Sequence, residues 1–283
     1  MGPDSISAGL GLALAGLLGL LVGSFLNVVI HRLPRMLEAQ WAKECAEFSG
    51  QPVPDSAPLN LLLPRSRCPS CTHPIAWHQN IPLLSYLWLR GRCAACRSPI
   101  GWRYPLVEVV TGAGFAWVWH LHGPSPAALA WAGFVATLVA LAAIDWDTTL
   151  LPDDLTLPLL WGGLVATALG WTGLTLADAV WGAVGGYLSL WSVYWAFKLV
   201  TGKEGMGYGD FKLFAALGAW LGWQALVPVI LMASLTGAVV GLAMKLGPGL
   251  REGGYIPFGP FLVLGGALTW LLGPAYWWTW LVW

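Results

Sequence analysis

Gly205-Met206-Gly207-Tyr208-Gly209-Asp210 interrupts one long apolar run and opens another. Its glycines leave the backbone bare for close approach, and its last residue is a carboxylate. A second carboxylate, Asp145, closes an earlier apolar run in Ile144-Asp145-Trp146-Asp147-Thr148-Thr149-Leu150-Leu151-Pro152-Asp153-Asp154. Charged groups at a bilayer boundary are costly and tend to be functional. Two aspartates at one depth on one side of a membrane would suit acid-protease chemistry, so topology decides what the stretch can do.

Of the 283 residues, 57% are hydrophobic and 10% charged. A soluble domain carries about 25% charged residues. Several long apolar runs point to an all-α polytopic protein embedded in a lipid bilayer. Net charge is zero, which excludes a bulk basic surface for nucleic acid. The 20 tryptophans suit interfacial belts. Residues 8–30 lack a basic flank and a small-residue cleavage site, and are read as a retained span rather than a signal peptide.

Further spans are expected near 104–122, 127–144, 155–173, 177–200, 211–223, 225–246 and 258–281, about eight in all with the first. Segment 211–223 is short for a span of about 20 residues. Yet 211–246 is too long for one span, and merging it would move Arg251 to the opposite face. With eight spans, loops 31–103, 145–154, 201–210 and 247–257 share one side, and all 14 Lys and Arg fall on that face. That face is therefore expected to be cytoplasmic. The expected organisation is a first transmembrane helix (1–30), a small cytoplasmic zinc-binding domain (31–103) and a membrane catalytic domain of about seven helices (104–283). Residues 38–60 read as a helical turn or two and then a loop. No pattern is seen to repeat at a fixed period.

On this topology Asp145 and Asp210 lie at the cytoplasmic ends of their spans. Acid proteolysis needs two carboxylates sharing one proton across a water, because like charges that close cannot both ionise. A blander reading stands beside it. Asp153 or Asp154 would cap the helix after Pro152, and Asp210 would cap the helix beginning at Phe211. The residues alone leave Asp145, Asp147, Asp153 and Asp154 all open as partners of Asp210. Asp145 ends the apolar run directly, which favours it. Thr175 and Asp178 have capping-box spacing. Glu108, about one turn inside its span, is expected to pair with Arg103 or Lys212, or else to contact a charged group of a substrate.

Cys68-x-x-Cys71 and Cys93-x-x-Cys96 have the spacing of a tetrahedral zinc site with four cysteine ligands. A reducing compartment disfavours disulfides, and Arg67, Arg92 and Arg97 favour thiolates. Four sulfurs leave no open position for a metal-bound water, so the zinc is structural and no metalloprotease motif accompanies it. Cys45 is left over, and neither His73 nor His78 is needed as a ligand.

Gly207-Tyr208-Gly209-Asp210 resembles the GxGD motif of membrane aspartyl proteases. Ile144-Asp145 with Leu151-Pro152-Asp153 resembles the first aspartate motif of the type IV prepilin leader peptidases. Ser24 to Pro34, Pro64 to Cys71 and Arg103-Tyr104-Pro105-Leu106-Val107-Glu108 are similar to that family's boundary, loop and second-span motifs. The resemblance covers about residues 20–265 and no motif departs from it. It implies that Asp145 and Asp210 are the catalytic pair and that Asp147 and Asp153 are not. It implies a bacterial inner-membrane enzyme that cuts the short basic leader from prepilins and from pseudopilins of type II secretion at the cytoplasmic face. It also implies N-methylation of the new amino terminus with S-adenosylmethionine, although no G-x-G-x-x-G turn marks a donor site. The competing readings are a GxGD intramembrane protease of other substrates, an ion- or proton-coupled transporter with Asp145 and Asp210 as ligands, and a zinc-stapled scaffold without chemistry.

Overall fold

The computed structural model describes residues 3–52, 59–246, 256–273, 276, 277 and 279. The Gly247-Pro248-Gly249 break, Arg251, and residues 274, 275, 278, 280 and 281 of the last expected span lie outside them. Among the described residues the chain is helical without a strand, apart from isolated bridges Arg67–Pro74 and Arg92–Pro99. Every expected span carries a helix: α1 (Pro3–Ser49), α3 (Arg103–His122), α4 (Pro126–Thr148), α5 (Asp153–Ala168), α6 (Leu176–Thr201), α7 (Tyr208–Leu221), α8 (Leu226–Leu246) and α9 (Gly259–Leu272). A short α2 (Leu84–Trp88) lies in the cysteine-bearing segment. Among the described residues three stretches are long and apolar enough to cross a membrane by themselves: Gly9–Ser49, Pro126–Thr148 and Trp223–Leu246. The chain is an all-α polytopic protein with its four-cysteine segment between α1 and α3. It divides into two compact units, Met1–Ala140 and Leu141–Trp283.

In the first unit α1 packs along α3. Gly23 presses on the backbone of α3, where a Cβ would fall 2.7 Å from the Cα of Glu108. Asn27 Nδ2 donates to Tyr104 O at 3.1 Å and ties the same pair of helices. One expectation is corrected here. The helix does not stop after a turn or two beyond residue 38 but runs unbroken for 47 residues to Ser49, through Pro34. Its polar end is largely exposed and carries i,i+4 pairs, Gln40 to Glu44 at 2.8 Å and Lys43 to Glu47 at 3.8 Å. It stops at Gly50, whose φ of +65° suits glycine, with Gln51 N donating to Ala46 O at 3.0 Å. Pro34 forfeits one backbone bond and is buried, while the turns on either side remain helical.

In the second unit α7 is the central helix. From Asp210 to Leu221 only Lys212 is not buried. A helix apolar all round is a buried one, which accounts for its shortness: enclosed by protein, α7 has no lipid thickness to match. α6 crosses it backbone to backbone, since a Cβ on Gly182 or Gly218 would land on the other's carbonyl. α5 is tied to it at both ends. Lys212 Nζ reaches Asp153 Oδ1 at 2.7 Å, and Trp220 Nε1 donates to Leu159 O at 2.8 Å. α6 ends at Gly202 (φ +70°), whose N–H donates to Lys198 O at 2.8 Å. Its start is the expected capping box, with Asp178 N donating to Thr175 Oγ1 at 3.1 Å. Asp178 Oδ1 also accepts from Trp223 Nε1 at 3.0 Å.

Gly218→Ala should cost about 1–3 kcal/mol by overpacking this crossing. Thermal unfolding in detergent reads it as a lower midpoint; an unchanged midpoint would mean that α6 and α7 separate freely.

Candidate active site

Asp145 lies in the last turn of α4 and is 4% exposed. Its Oδ2 accepts the N–H of Gly259, the first residue of α9, at 2.8 Å. A helix start offers unpaired N–H groups and positive potential, so an anion is stabilised there. Gly259 allows the approach, since a Cβ would sit 2.6 Å from that same oxygen.

Asp210 is 6% exposed and lies in the first turn of α7. It is not the cap of a helix beginning at Phe211; the helix begins at Tyr208 with Gly207 as N-cap. Asp210 Oδ2 accepts Gly207 N–H at 3.2 Å, the reciprocal half of a capping box. The capping bond therefore does not exclude a chemical role for the same carboxylate.

Both carboxylates belong to the second unit. Leu151 fills the space beside both. A Cβ on Gly209 would meet its Cβ at 2.6 Å, and one on Gly259 would meet its Cδ2 at 3.2 Å. Of the four aspartates in 145–154, only Asp145 is buried. Asp153 caps nothing with its side chain, because α5 is preceded by Pro152 and Asp153 is engaged by Lys212. The glycine segment is anchored by Glu204, which accepts from Lys198 Nζ at 2.8 Å. That bond holds the Glu204 carboxyl below its ordinary range.

The first unit gathers the cysteines. The sulfurs of Cys68, Cys71, Cys93 and Cys96 lie within 4.8 Å of one another, and Cys68 and Cys96 are 3.8 Å apart. A tetrahedron with metal–sulfur bonds of about 2.3 Å has edges of about 3.8 Å. All five cysteines are free thiols. The two knuckles are copies: Cys68 N donates to His73 O at 3.0 Å as Cys93 N does to Ser98 O at 2.9 Å, and Thr72 and Arg97 both have positive φ. The copy was legible as Arg-Cys-x-x-Cys-x-x-Pro-Ile at 67–75 and 92–100, a local repeat that a search for a fixed period overlooks. The N–H groups of Cys71 and Ser70 lower the Cys68 thiol to about 6, while burial and the neighbouring sulfurs push the Cys71 thiol up to about 11. These four sulfurs could hold one metal ion. Cys45 is exposed, and the cluster contains neither His73 nor His78.

Glu108 is buried. Its Oε2 accepts Leu83 N–H at 2.9 Å.

The comparisons with known proteins divide at the same two regions. The family model of the bacterial peptidase A24 N-terminal domain matches residues 17–122, and that of the type IV leader peptidase family matches residues 132–242. The chain belongs to the type IV leader peptidase family. It is 55% identical over 265 residues to a prepilin leader peptidase/N-methyltransferase of Aeromonas hydrophila, covering 93% of this chain and 91% of that one. It is 52% identical over 262 residues to the protein of that name in Pseudomonas aeruginosa, covering 90% and 88%. With that of Burkholderia pseudomallei strain K96243 it shares 52% over 275 residues, covering 96% and 89%. No solved structure matches the chain significantly. Asp145 and Asp210 fall inside the leader-peptidase match and the four clustered cysteines inside the N-terminal match. Gly259, the hydrogen-bond donor to Asp145, lies beyond both.

Gly259→Ala should displace the Asp145 carboxylate and lower the activity of the protein by about tenfold or more, since small misplacements of reacting groups carry large rate penalties. Activity equal to wild type at equal folded content would mean that Asp145 needs no such fixing.

Proposed function

We propose that this chain is an inner-membrane aspartyl endopeptidase that removes the short basic leader from prepilins and pseudopilins at the cytoplasmic face and methylates the amino terminus so exposed. The observation that carries the reading is the pair of buried carboxylates, Asp145 and Asp210, each held by one backbone N–H at a helix start, with Leu151 packed against both glycine contacts. The names of its relatives support the substrate, and the basic residues of the expected loops support the cytoplasmic side. The proposed organisation is a first transmembrane helix over 1–30, a cytoplasmic zinc domain over 31–103 and a catalytic membrane domain over 104–283.

The chemistry follows from sharing one proton between the two carboxyls. The ionised carboxylate takes a proton from a water as its oxygen attacks the scissile carbonyl carbon. The protonated partner donates to the carbonyl oxygen. Collapse of the tetrahedral adduct breaks the C–N bond, and the leaving nitrogen takes up the proton. Gly207 and Gly259 each occupy one oxygen of a carboxyl, which fixes the orientation of both without a side chain that would obstruct an extended substrate. Cys68, Cys71, Cys93 and Cys96 would hold a structural zinc that fastens the two knuckles and takes no part in hydrolysis. S-Adenosylmethionine, when bound, supplies a methyl group to the freed amine.

Cleavage of a purified precursor pilin by detergent-solubilised wild type and variants tests the pair. Asp145→Asn and Asp210→Asn should each lose about 100-fold or more, as removal of an acid–base group does, while Asp147→Asn stays active. Cleavage by Asp145→Asn at the wild-type rate would return the choice to Asp147 or Asp153. Elemental analysis should find about one zinc per chain, lost together with the folded loop in Cys68→Ser. Metal-free protein with five titratable thiols would remove the zinc site.

A further inference from the structure

The first unit holds a cavity of about 610 Å³ between residues 24–35 of α1, the first turns of α3 and the cysteine-bearing segment. Small-molecule sites run about 300–1,000 Å³. The carboxylate pair lies in the other unit and contributes nothing to these walls. Three buried polar side chains line the cavity. Arg32 is 8% exposed and, among the described residues, donates only to carbonyls, Asn60 O at 2.8 Å and Pro64 O at 2.6 Å. Among the described residues no carboxylate pairs with this buried cation, and buried charges ordinarily are paired. Asn27 is 6% exposed, and its Oδ1 has no hydrogen-bond partner among the described residues. An unsatisfied buried acceptor costs about 1–3 kcal/mol. Glu108 is 8% exposed and, with Asn27, brings acceptors to the same wall. Arg35, one turn beyond Arg32, and the ring of Tyr86 complete it.

We infer that this cavity is the methyl-donor site, taking the adenosyl amino acid of S-adenosylmethionine. The inference rests on the methyltransferase reading and specifies where it acts. The donor's carboxylate satisfies Arg32 and Arg35 by charge-assisted hydrogen bonds. Its ammonium and ribose hydroxyls are donors for Glu108 and Asn27 Oδ1. Its purine needs an aromatic or apolar wall, which Tyr86 supplies. A phosphatidylglycerol headgroup would also suit the arginines, but it brings no cation to Glu108. The absent glycine-rich fingerprint is then no obstacle, because the cavity supplies side-chain partners in place of backbone N–H groups.

S-Adenosylhomocysteine serves as the probe, with titration calorimetry on wild type, Asn27→Leu, Arg35→Ala and Glu108→Gln. Each variant should bind at least tenfold more weakly, and Lys43→Ala, on the exposed flank of α1, should bind as wild type does. Ultraviolet cross-linking of methyl-labelled S-adenosylmethionine to the wild type gives a readout free of any folding defect in the variants. Label should map to peptides within residues 24–108. Wild-type affinity in all three cavity variants, or label confined to residues 141–283, would overturn the cavity while leaving the methyltransferase reading intact. A wild type that neither binds the probe nor methylates cleaved pilin would overturn both.

Discussion

The enclosure of α7 is the constraint on which the second unit depends. Eleven of its fourteen residues, Asp210, Phe211 and Leu213 to Leu221, are buried. A helix buried all round can be surrounded only if its neighbours come close, and α6 does so by matching Gly182 to Gly218. The first turn of α7 is only partly enclosed, with Tyr208 exposed and Asp210 buried. Asp210 is removed from bulk water at the point where a glycine segment gives access. The same helix is secured at its two ends by Lys212 with Asp153 and by Trp220 with the Leu159 carbonyl.

Burying two carboxylates in one unit is unfavourable unless each finds donors. The donors here are backbone N–H groups at helix starts. Gly207 serves Asp210 within its own helix, and Gly259 serves Asp145 across 114 positions of sequence. Backbone donors cannot be repositioned by a rotamer change, so the carboxyl planes are fixed by the helices themselves. Leu151 packs against Gly209 of α7 and Gly259 of α9.

The first unit solves a different problem. Its hydrophobic packing lies along α1 and α3, and its polar segment between them has little core of its own. Two copied knuckles place four sulfurs at the separations of a metal tetrahedron, and the buried Arg32 guanidinium holds the chain at Asn60 and Pro64. The long α1 needs no membrane for its last turns. The polar residues after 38 continue the helix through i,i+4 pairs and end it at Gly50. The stop was legible in Ser49-Gly50-Gln51-Pro52, and it outweighs the composition that suggested a loop.

Hydropathy along the chain is local, so the sequence by itself determined the helical spans and put Asp145 and Asp210 at the ends of theirs. Cysteine spacing is local as well, and it specified the four sulfurs that the fold gathers into one cluster. Which aspartate among 145–154 is buried, what donates to it, and what Glu108 meets were decided only by tertiary structure. Their partners are the backbone of Gly259, the backbone of Leu83 and the side chain of Leu151, groups whose identity in sequence carries no mark of the contact. A backbone N–H is present at nearly every residue, and only packing selects the one that points at a carboxylate.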